Sequence, residues 1–220
     1  MKTLMRTAAL LAAACTAFAC VASAAEMAHH HSFHGAQEWA RVFDDPERDA
    51  WQKPHEVIQA LGLESSDIVA DIGAGTGYFS VRLAHMLPQG KVYAVDAEPD
   101  MVKYLRQRAE KSGLSNMRAV QATPDDARLP EKADLVLLVD VYHHIDDRVR
   151  YFRKLRGSLE PGGRIAIVDF RADAPTGPPK SMRLAPESVK RELREAGYGL
   201  AAEHGFLPYQ YYLVFRKEAQ

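Results

Sequence analysis

The stretch that decides the fold is Val69-Ala70-Asp71-Ile72-Gly73-Ala74-Gly75-Thr76-Gly77. Its apolar start predicts a strand over 67–71, and a helix is predicted directly after it, over 78–87. Glycines at such a turn let a ligand approach the backbone, where the first amides of the helix offer free donors. A dinucleotide fingerprint would read G-x-G-x-x-G, but here the third glycine, Gly77, comes one residue early and Tyr78 holds the sixth position. No Gly-Lys-Ser/Thr follows, which excludes a phosphate-binding P-loop.

The alternation of strand and helix continues along the chain. Further strands are predicted at 91–96, 117–121, 135–139 and 164–168, and further helices at 99–112, from Asp146 or Asp147 to Leu159, and at 186–196. After a proline-rich loop over 172–183, two strands at 200–204 and 210–216 close the chain, antiparallel to each other. The sequence therefore predicts an α/β fold, a doubly wound, mostly parallel seven-stranded sheet with helices on both faces and the last strand antiparallel.

Composition limits the functional classes. The 220 residues carry 28 basic and 29 acidic side chains, 47% hydrophobic residues and a net charge of −1. This length suits one domain and is ample for a buried core. The ordinary composition argues against a disordered, collagen-like or multi-pass membrane protein. The near-zero net charge gives no electrostatic reason to expect a nucleic-acid partner.

The first 24 residues read as a signal peptide. Lys2 and Arg6 precede a short alanine- and leucine-rich run, and Ala22-Ser23-Ala24 supplies the small-x-small pattern of a cleavage site. We therefore expect cleavage near Ala24, export to the periplasm and no stable insertion in the membrane afterwards. Both cysteines, Cys15 and Cys20, lie in this segment. A lipoprotein is less expected, because the usual aliphatic residue is missing three positions before either cysteine.

Residues 25–53 are predicted to form a helical, histidine-rich extension ahead of a domain over 54–220. His29, His30, His31 and His34 follow Met27, and such a cluster is able to bind copper, nickel or zinc. A solvated terminus is the favoured interpretation, because no carboxylate or cysteine completes a defined site. We therefore assign no metal site. Trp39, Val42 and Phe43 are predicted to form one apolar stripe of the first leading helix. Trp39 and Trp51 in the leading helices form either a lid or a hydrophobic staple.

Two carboxylates indicate what the glycine loop binds. Asp71 places a negative charge at the end of the first strand, which disfavours a pyrophosphate and suits a cationic amino group. Asp96 ends the second strand, where a carboxylate accepts both hydroxyls of a ribose. A nucleoside with an attached amino acid fits these groups better than a dinucleotide, which disfavours a nicotinamide-dependent oxidoreductase. A tight turn with a solvated aspartate is the plainer alternative.

Five motifs together resemble the class I S-adenosylmethionine-dependent methyltransferases, in particular the small-molecule enzymes that include those of quinone biosynthesis. They are Asp71-Ile-Gly-Ala-Gly-Thr-Gly77, Val95-Asp96, Leu129-Pro130, His143-His144 and Leu159-Glu-Pro-Gly-Gly-Arg164. The resemblance spans roughly Pro54 to Arg216 and is specific for fold and cofactor. It does not specify the acceptor, because the family methylates unrelated molecules. Arsenic is the exception, since its methyltransferases depend on cysteines that are missing after residue 24.

The resemblance implies roles for individual residues. Asp71, Gly73 and Gly75, within the loop that Gly77 completes, would line the methionine end of S-adenosylmethionine, and Asp96 would bind its ribose. Asp126, or its neighbour Asp125, would face the adenine. Asp140 stands where the family's substrate-facing loop begins, and we include it among the cofactor-binding residues.

Candidate catalytic groups follow the fourth strand. Tyr142, His143 and His144 lie where open α/β sheets bind ligands, and an imidazole there is able to act as a general base. A loop histidine bonded to a helix cap is the plainer alternative, and neither histidine has an advantage over the other.

Near the end of the chain, Tyr209 and Tyr211 share one face of a strand and Tyr212 the other. They are interpreted as half-buried sheet aromatics in preference to a wall for an aromatic or quinone-like substrate.

The sequence thus predicts methyl transfer from S-adenosylmethionine to a small-molecule or envelope-associated acceptor. The alternative is an exported, non-catalytic protein that binds a nucleoside or a metal on the same scaffold. The intact Asp71, glycine loop and Asp96 favour the enzyme, because a scaffold kept only for structure needs none of these carboxylates.

Overall fold

Seven strands form one sheet in a computed structural model that describes residues 35–218. They are β1 (Ile68–Ile72), β2 (Lys91–Asp96), β3 (Met117–Gln121), β4 (Ala133–Val139), β5 (Leu159–Phe170), β6 (Tyr198–His204) and β7 (Gln210–Lys217). Their order in space is β3-β2-β1-β4-β5-β7-β6. Strands β1 to β5 pair in parallel, whereas β7 is antiparallel to both β5 and β6. The predicted fold class is confirmed.

Seven helices accompany the sheet in the described part of the chain. They are α1 (Ala36–Phe43), α2 (Arg48–Gln52), α3 (Pro54–Ala60), α4 (Tyr78–Met86), α5 (Pro99–Lys111), α6 (Arg148–Leu155) and α7 (Pro186–Glu195). Proline opens α3, α5 and α7, because its fixed φ suits the first helical position and that position needs no amide donor. The Asp147 side chain caps α6 by accepting from the amide of Arg150 at 3.2 Å. None of the helices within residues 35–218 is long and apolar enough to cross a membrane.

Two apolar layers hold the helices on the two faces of the sheet. Successive strand residues alternate between them, so that Ala70 faces the layer beneath α6 and α7, and Val69 faces the layer beneath α3, α4 and α5. Phe152 fills the first layer and Leu83 the second, both fully buried. Burial of an aliphatic or aromatic side chain of this size contributes about 1.5–3 kcal/mol. Because both faces are covered, the ligand-binding surface is left at the edge where the parallel strands end.

Two local predictions were wrong. Leu159 was expected on the inner face of a helix, but α6 ends at Leu155 and a 3-10 turn over Arg156–Ser158 leads into β5. Leu159 is then buried as the first residue of that strand, opposite Ala133. Val42 was expected in an apolar stripe with Trp39 and Phe43, yet its side chain is 60% exposed while the other two rings stack on each other.

Candidate active site

The glycine loop joins β1 to α4 at the carboxyl edge of the sheet. Gly73, Gly75 and Gly77 have φ values of 71°, 55° and 89°, in the left-handed region that favours glycine. The amides of Gly73 and Ala74 donate to the carbonyl of Val95 at 2.8 and 3.0 Å, which ties the loop to β2. A Cβ at Gly73 would lie 2.3 Å from a methyl group of Val141. The loop therefore needs glycine both for its conformation and for its close packing.

Asp96 lies beside this loop, as predicted. Its Oδ2 accepts from the amide of Gly75 at 2.8 Å, and its Oδ1 accepts from the amide of Glu98 at 2.9 Å. Burial raises the pKa of the carboxyl, and the hydrogen bonds from the two amides oppose that rise. Each carboxylate oxygen has a second lone pair, so the group is able to accept two further hydrogen bonds, as from a pair of vicinal hydroxyls.

Asp71 is the more deeply buried of the two carboxyls. Its side chain accepts a hydrogen bond from Ser80 Oγ at 2.6 Å, and only 3% of the residue is exposed. The pKa of Asp71 is raised to about 6, mainly by burial; the charge of Asp96 also raises it, whereas the hydrogen bond from Ser80 and the charge of Arg48 lower it. The site is therefore short of positive charge close to Asp71.

Asp140 directly follows β4 and has a left-handed conformation, with φ at 59°. Burial raises the pKa of this carboxyl as well, against the attraction of Arg48, whose guanidinium nitrogen lies 3.5 Å from Asp140 Oδ2. Gln210 Nε2 donates to Asp140 Oδ1, and Gln52 Nε2 donates to Gln210 Oε1 at 2.6 Å. A chain of polar side chains thus links α2, β4 and β7 across the edge.

His143 forms a buried pair with Asp169, the last residue but one of β5. His143 Nδ1 lies 2.9 Å from both carboxylate oxygens, and the side chains are 4% and 3% exposed. The amides of His143 and Phe170 donate to the same carboxylate at 3.3 and 2.8 Å. The carboxylate is therefore held rigidly and fixes the orientation of the imidazole. The His144 ring lies 4.2 Å from that of His143, centroid to centroid.

Tyr142 lies on the other side of this turn, in the core. The residue is fully buried, its ring stacks on Phe152, and its hydroxyl donates to Glu192 Oε2 at 2.7 Å. Arg148 Nε donates to the same Glu192 oxygen at 2.7 Å. These contacts favour a packing role for Tyr142, in contrast to the catalytic role expected from its position in the sequence.

The side chains of Asp125 and Asp126 face helix α6, not the glycine loop. Lys154 Nζ lies 3.7 Å from Asp125 and 3.0 Å from Asp126, and the amide of Arg128 donates to Asp126 Oδ1 at 2.8 Å. The gap beside Tyr151 that these side chains line has a volume of about 10 Å³, enough for one water molecule. A contact with adenine by either carboxyl stays a prediction.

The covering segment, residues 35–53, crosses the whole carboxyl edge. At one end the amide of Gly35 donates to Asp100 Oδ2 at 3.2 Å. Farther along, the ring of Phe43 lies over Gly75, so that a Cβ added to this glycine would be 3.3 Å from Phe43 Cδ2. At the far end Trp51 lies beside Phe170, with 5.6 Å between the ring centroids. This course agrees with the lid interpretation of the leading helices.

Two side chains fasten the covering segment to the loop. Asp44 accepts hydrogen bonds from Arg108 Nη1 at 2.7 Å and from Thr76 Oγ1 at 3.2 Å. Arg48 donates to the carbonyl of Phe43 at 2.9 Å and lies over the ring of Tyr78, 4.2 Å from its centroid. The segment therefore touches both the glycine loop and Asp140, which the sequence assigned to the cofactor.

The adjacent tyrosines of strand β7 lie on opposite faces of the sheet, as predicted. Tyr211 lies in the layer beneath α6 and α7, and Tyr212 lies in the opposite layer, where its hydroxyl donates to the carbonyl of Val57 at 3.1 Å. Tyr209 is partly exposed and lies beside Trp51. Within residues 35–218, the hydroxyl of Tyr211 is the one buried side-chain polar atom that has no hydrogen-bond partner.

Sequence reasoning missed Asp169, Gln210 and Arg48. Asp169 carried a usable signal, since it stands at the carboxyl end of a covered strand, as Asp71 and Asp96 do in theirs. Gln210 and Arg48 carried none, because their contacts join parts of the chain that are far apart in sequence. Across 35–218 there is no group of three or more histidine, cysteine, aspartate or glutamate residues placed to hold a metal ion. The cluster from His29 to His34 lies outside the described residues, as do the predicted signal peptide and both cysteines.

Comparison with known proteins bears on this site. A family model described as a methyltransferase domain matches residues 63–205. A protein-L-isoaspartate O-methyltransferase of Aeropyrum pernix is 31% identical over 162 residues, which are 68% of this chain and 57% of that protein. A ubiquinone/menaquinone biosynthesis C-methyltransferase of Edwardsiella ictaluri is 28% identical over 116 residues, covering 51% of this chain and 46% of the relative. The chain thus spans about half the length of these curated relatives.

The fold has solved counterparts. The crystal structure of a SAM-dependent methyltransferase from Aquifex aeolicus superposes with a TM-score of 0.77 and 23% sequence identity. The match covers 83% of this chain and 98% of that one. At this level of identity the likeness concerns the fold.

Proposed function

The chain belongs to the methyltransferase domain family, and on that premise we propose that it transfers a methyl group from S-adenosylmethionine to a small or envelope-associated acceptor outside the cytoplasm. The observation that carries this proposal is the pair Asp71 and Asp96, two buried carboxyls that flank a glycine loop and lack sufficient positive charge.

The residues present fit this cofactor. S-adenosylmethionine has an ammonium group and a sulfonium group against one carboxylate, so it would bring the positive charge that the buried carboxyls lack. Asp71 would face the cationic methionine part, and Asp96 would accept from the ribose hydroxyls. Gly73 and Gly75 keep the backbone of the loop free of side chains, and a Cβ at either position would press on Val141 or Phe43.

The bound cofactor supplies a methyl group that is already activated by its positive sulfur. The chain's own task is then to align an acceptor with that methyl group and to exclude water. The covering segment is suited to exclude water, because Phe43 and Trp51 lie over the two halves of the edge. Arg48 of the same segment forms an ion pair with Asp140, and the two side chains provide polar groups that are able to orient the acceptor.

Export is supported by residues 1–24 alone, with their basic start, apolar run and small-residue cleavage pattern. The test is expression of the full chain in a Gram-negative host, followed by cell fractionation and mass spectrometry. We expect a periplasmic protein that begins at Ala25, and accumulation of the uncleaved chain when Ala22 and Ala24 are both replaced by arginine. A cytoplasmic protein that keeps residues 1–24 would overturn the export proposal.

Binding of the cofactor is tested by calorimetry. The protein is unfolded and refolded to remove any ligand carried through purification, then titrated with S-adenosylmethionine and, as a control, with NAD. We expect micromolar affinity for S-adenosylmethionine, about −8 kcal/mol, and no binding of NAD. A folded sample that binds neither compound would contradict the proposed function.

The acceptor is then sought by incubating the protein with envelope extract and S-adenosylmethionine that carries a radioactive methyl group. Label should enter a small-molecule or envelope fraction with the wild-type protein. It should not do so with Asp96→Ala, in which the proposed ribose contact is missing. Equal labelling by both proteins would show that the label does not pass through this site.

A further inference from the structure

The buried pair of His143 and Asp169 has a geometry that packing alone does not require. Besides accepting from two backbone amides, the Asp169 carboxylate has both of its oxygens 2.9 Å from His143 Nδ1. An aspartate in this position keeps the proton of a neutral imidazole on Nδ1 and leaves Nε2 as the basic atom. No hydrogen bond from residues 35–218 reaches His143 Nε2. The pair therefore presents an oriented base at the carboxyl edge of the sheet.

A second, independent observation is the hydroxyl of Tyr211. Tyr211 and Asp169 are direct partners in the antiparallel pair of β7 and β5, so their side chains leave the sheet on the same face. The residue is only 4% exposed, and its hydroxyl has no hydrogen-bond partner in the described chain. Burial raises the pKa of this hydroxyl, and the charge of Asp169 on the neighbouring strand raises it further. A buried donor of this kind needs a polar partner from outside residues 35–218.

We propose that His143 is the general base for a protic oxygen acceptor, a phenol or an enol, that Asp169 positions it, and that Tyr211 donates a hydrogen bond to the acceptor. This proposal rests on the proposed function and specifies its substrate class. A neutral amine attacks a methyl group with its own lone pair and needs no such base, whereas a phenol or enol becomes strongly nucleophilic only as its proton leaves. An oriented imidazole is a base of suitable strength for that proton.

The proposed step transfers one proton to His143 and one methyl group to the acceptor. The acceptor O–H bond breaks and its proton moves to His143 Nε2, while an electron pair of the oxygen forms the new C–O bond to the methyl carbon. The bond from that carbon to sulfur breaks, and its electron pair stays on sulfur, which becomes a neutral thioether. His143, now an imidazolium paired with Asp169, returns the proton to water after the product leaves.

The test uses 4-nitrophenol as probe, because its phenolate absorbs visible light and its neutral form does not. The full-length protein, labelled with ¹⁵N in its histidines, is saturated with S-adenosylhomocysteine and then titrated with the probe. 4-Nitroanisole, which has the same ring but no proton to lose, is the matched control ligand. The free protein should show His143 protonated at Nδ1 and not at Nε2, and the bound probe should appear as phenolate while Nε2 gains a proton.

Substitutions of His143, Asp169 and Tyr211 test the proposed role of each residue separately. His143→Asn should bind the phenolate about 10- to 100-fold less tightly, as expected for a lost charged hydrogen bond, whereas His85→Asn, on the exposed part of α4, should bind it as the wild type does. Asp169→Asn should shift the proton of the imidazole from Nδ1 to Nε2, a change that a merely structural role would not produce. Tyr211→Phe should weaken binding of the probe and leave binding of S-adenosylhomocysteine intact.

Several outcomes would overturn the proposal: a probe bound as the neutral phenol, binding unaffected by His143→Asn, or no binding of the probe to protein that binds S-adenosylhomocysteine. Because the wild-type spectra alone decide the first and third of these, an unstable variant does not block the test. Failure of the proposed function is recognised separately, since the folded protein would then bind neither S-adenosylhomocysteine nor S-adenosylmethionine.

Discussion

The ring of Phe43 packs on Gly75, so close that a Cβ on this glycine would lie 3.3 Å from Phe43 Cδ2. The first helix of the described chain therefore lies against the loop proposed to receive the cofactor. A ligand that approaches the backbone of Gly75 must share this space with Phe43 or displace it. The relationship makes position 75 sensitive to any added side chain.

We expect Gly75→Ala to abolish measurable binding of S-adenosylmethionine, because the added methyl group enters the space between Phe43 and the loop. Gly62→Ala is the matched control. Gly62 has a φ of 56°, almost that of Gly75 at 55°, but a Cβ there would meet nothing within 4 Å. Both variants should lose about 1 kcal/mol of stability from left-handed strain, and calorimetry should find binding lost only for Gly75→Ala. Normal affinity of that variant would show that the ligand does not contact this loop.

Asp71→Asn should stabilise the protein in the absence of cofactor and weaken its binding of S-adenosylmethionine. In the folded protein the pKa of Asp71 is about 6, against an ordinary value of 3.8. Between these values the folded state holds more protons than the unfolded state, so the free energy of unfolding falls as the pH rises. The asparagine variant has no carboxyl to ionise at this position. Its free energy of unfolding should therefore exceed that of the wild type by about 1–3 kcal/mol near pH 7.

Urea unfolding of both proteins, near pH 4 and near pH 7, checks this prediction. The two proteins should differ little at the lower pH, where Asp71 is protonated in the folded state. A gain in stability of equal size at both pH values would rule out ionisation as its cause, and a less stable variant at neutral pH would contradict the prediction.

Asp96→Ala should weaken binding of S-adenosylmethionine by about 1–3 kcal/mol, through loss of charged hydrogen bonds. Asp134→Ala provides the comparison, because Asp134 also accepts from a backbone amide, that of Ile68 at 2.8 Å, but lies at the start of β4. Calorimetry should show unchanged affinity for Asp134→Ala. If both variants lost affinity equally, the effect would come from general loosening of the sheet.

Arg48→Ala should lower the free energy of unfolding by about 2 kcal/mol near neutral pH, because the buried Asp140 would then lose the cation that most favours its charged form. The loss should shrink in acid, where Asp140 takes up a proton and no longer needs a partner. Denaturant titrations at both pH values measure the effect, with the exposed Arg41 of α1, replaced by alanine, as the reference. A loss independent of pH would assign the role of Arg48 to its packing on Tyr78 instead.

The fold and part of the site could be predicted because they depend on local patterns. Glycines after a covered strand, and carboxylates at the ends of such strands, located the loop, Asp71 and Asp96. Pairs such as His143 with Asp169, or Arg48 with Asp140, join residues far apart in sequence, and neither periodicity nor spacing reveals them. Leu159 was misplaced because the apolar spacing of α6 continues past the 3-10 turn that ends the helix.

Trp39 and Trp51 are the only tryptophans in the sequence, and both lie in the covering segment, above different halves of the edge. Trp39 stacks on Phe43, and Trp51 lies beside Phe170 and Tyr209. The intrinsic fluorescence of the untagged protein therefore reports on this segment without background from the rest of the fold. Replacing either tryptophan by phenylalanine would leave a single emitter, above the glycine loop or above β5 and β7, so that movement of each half could be followed in real time.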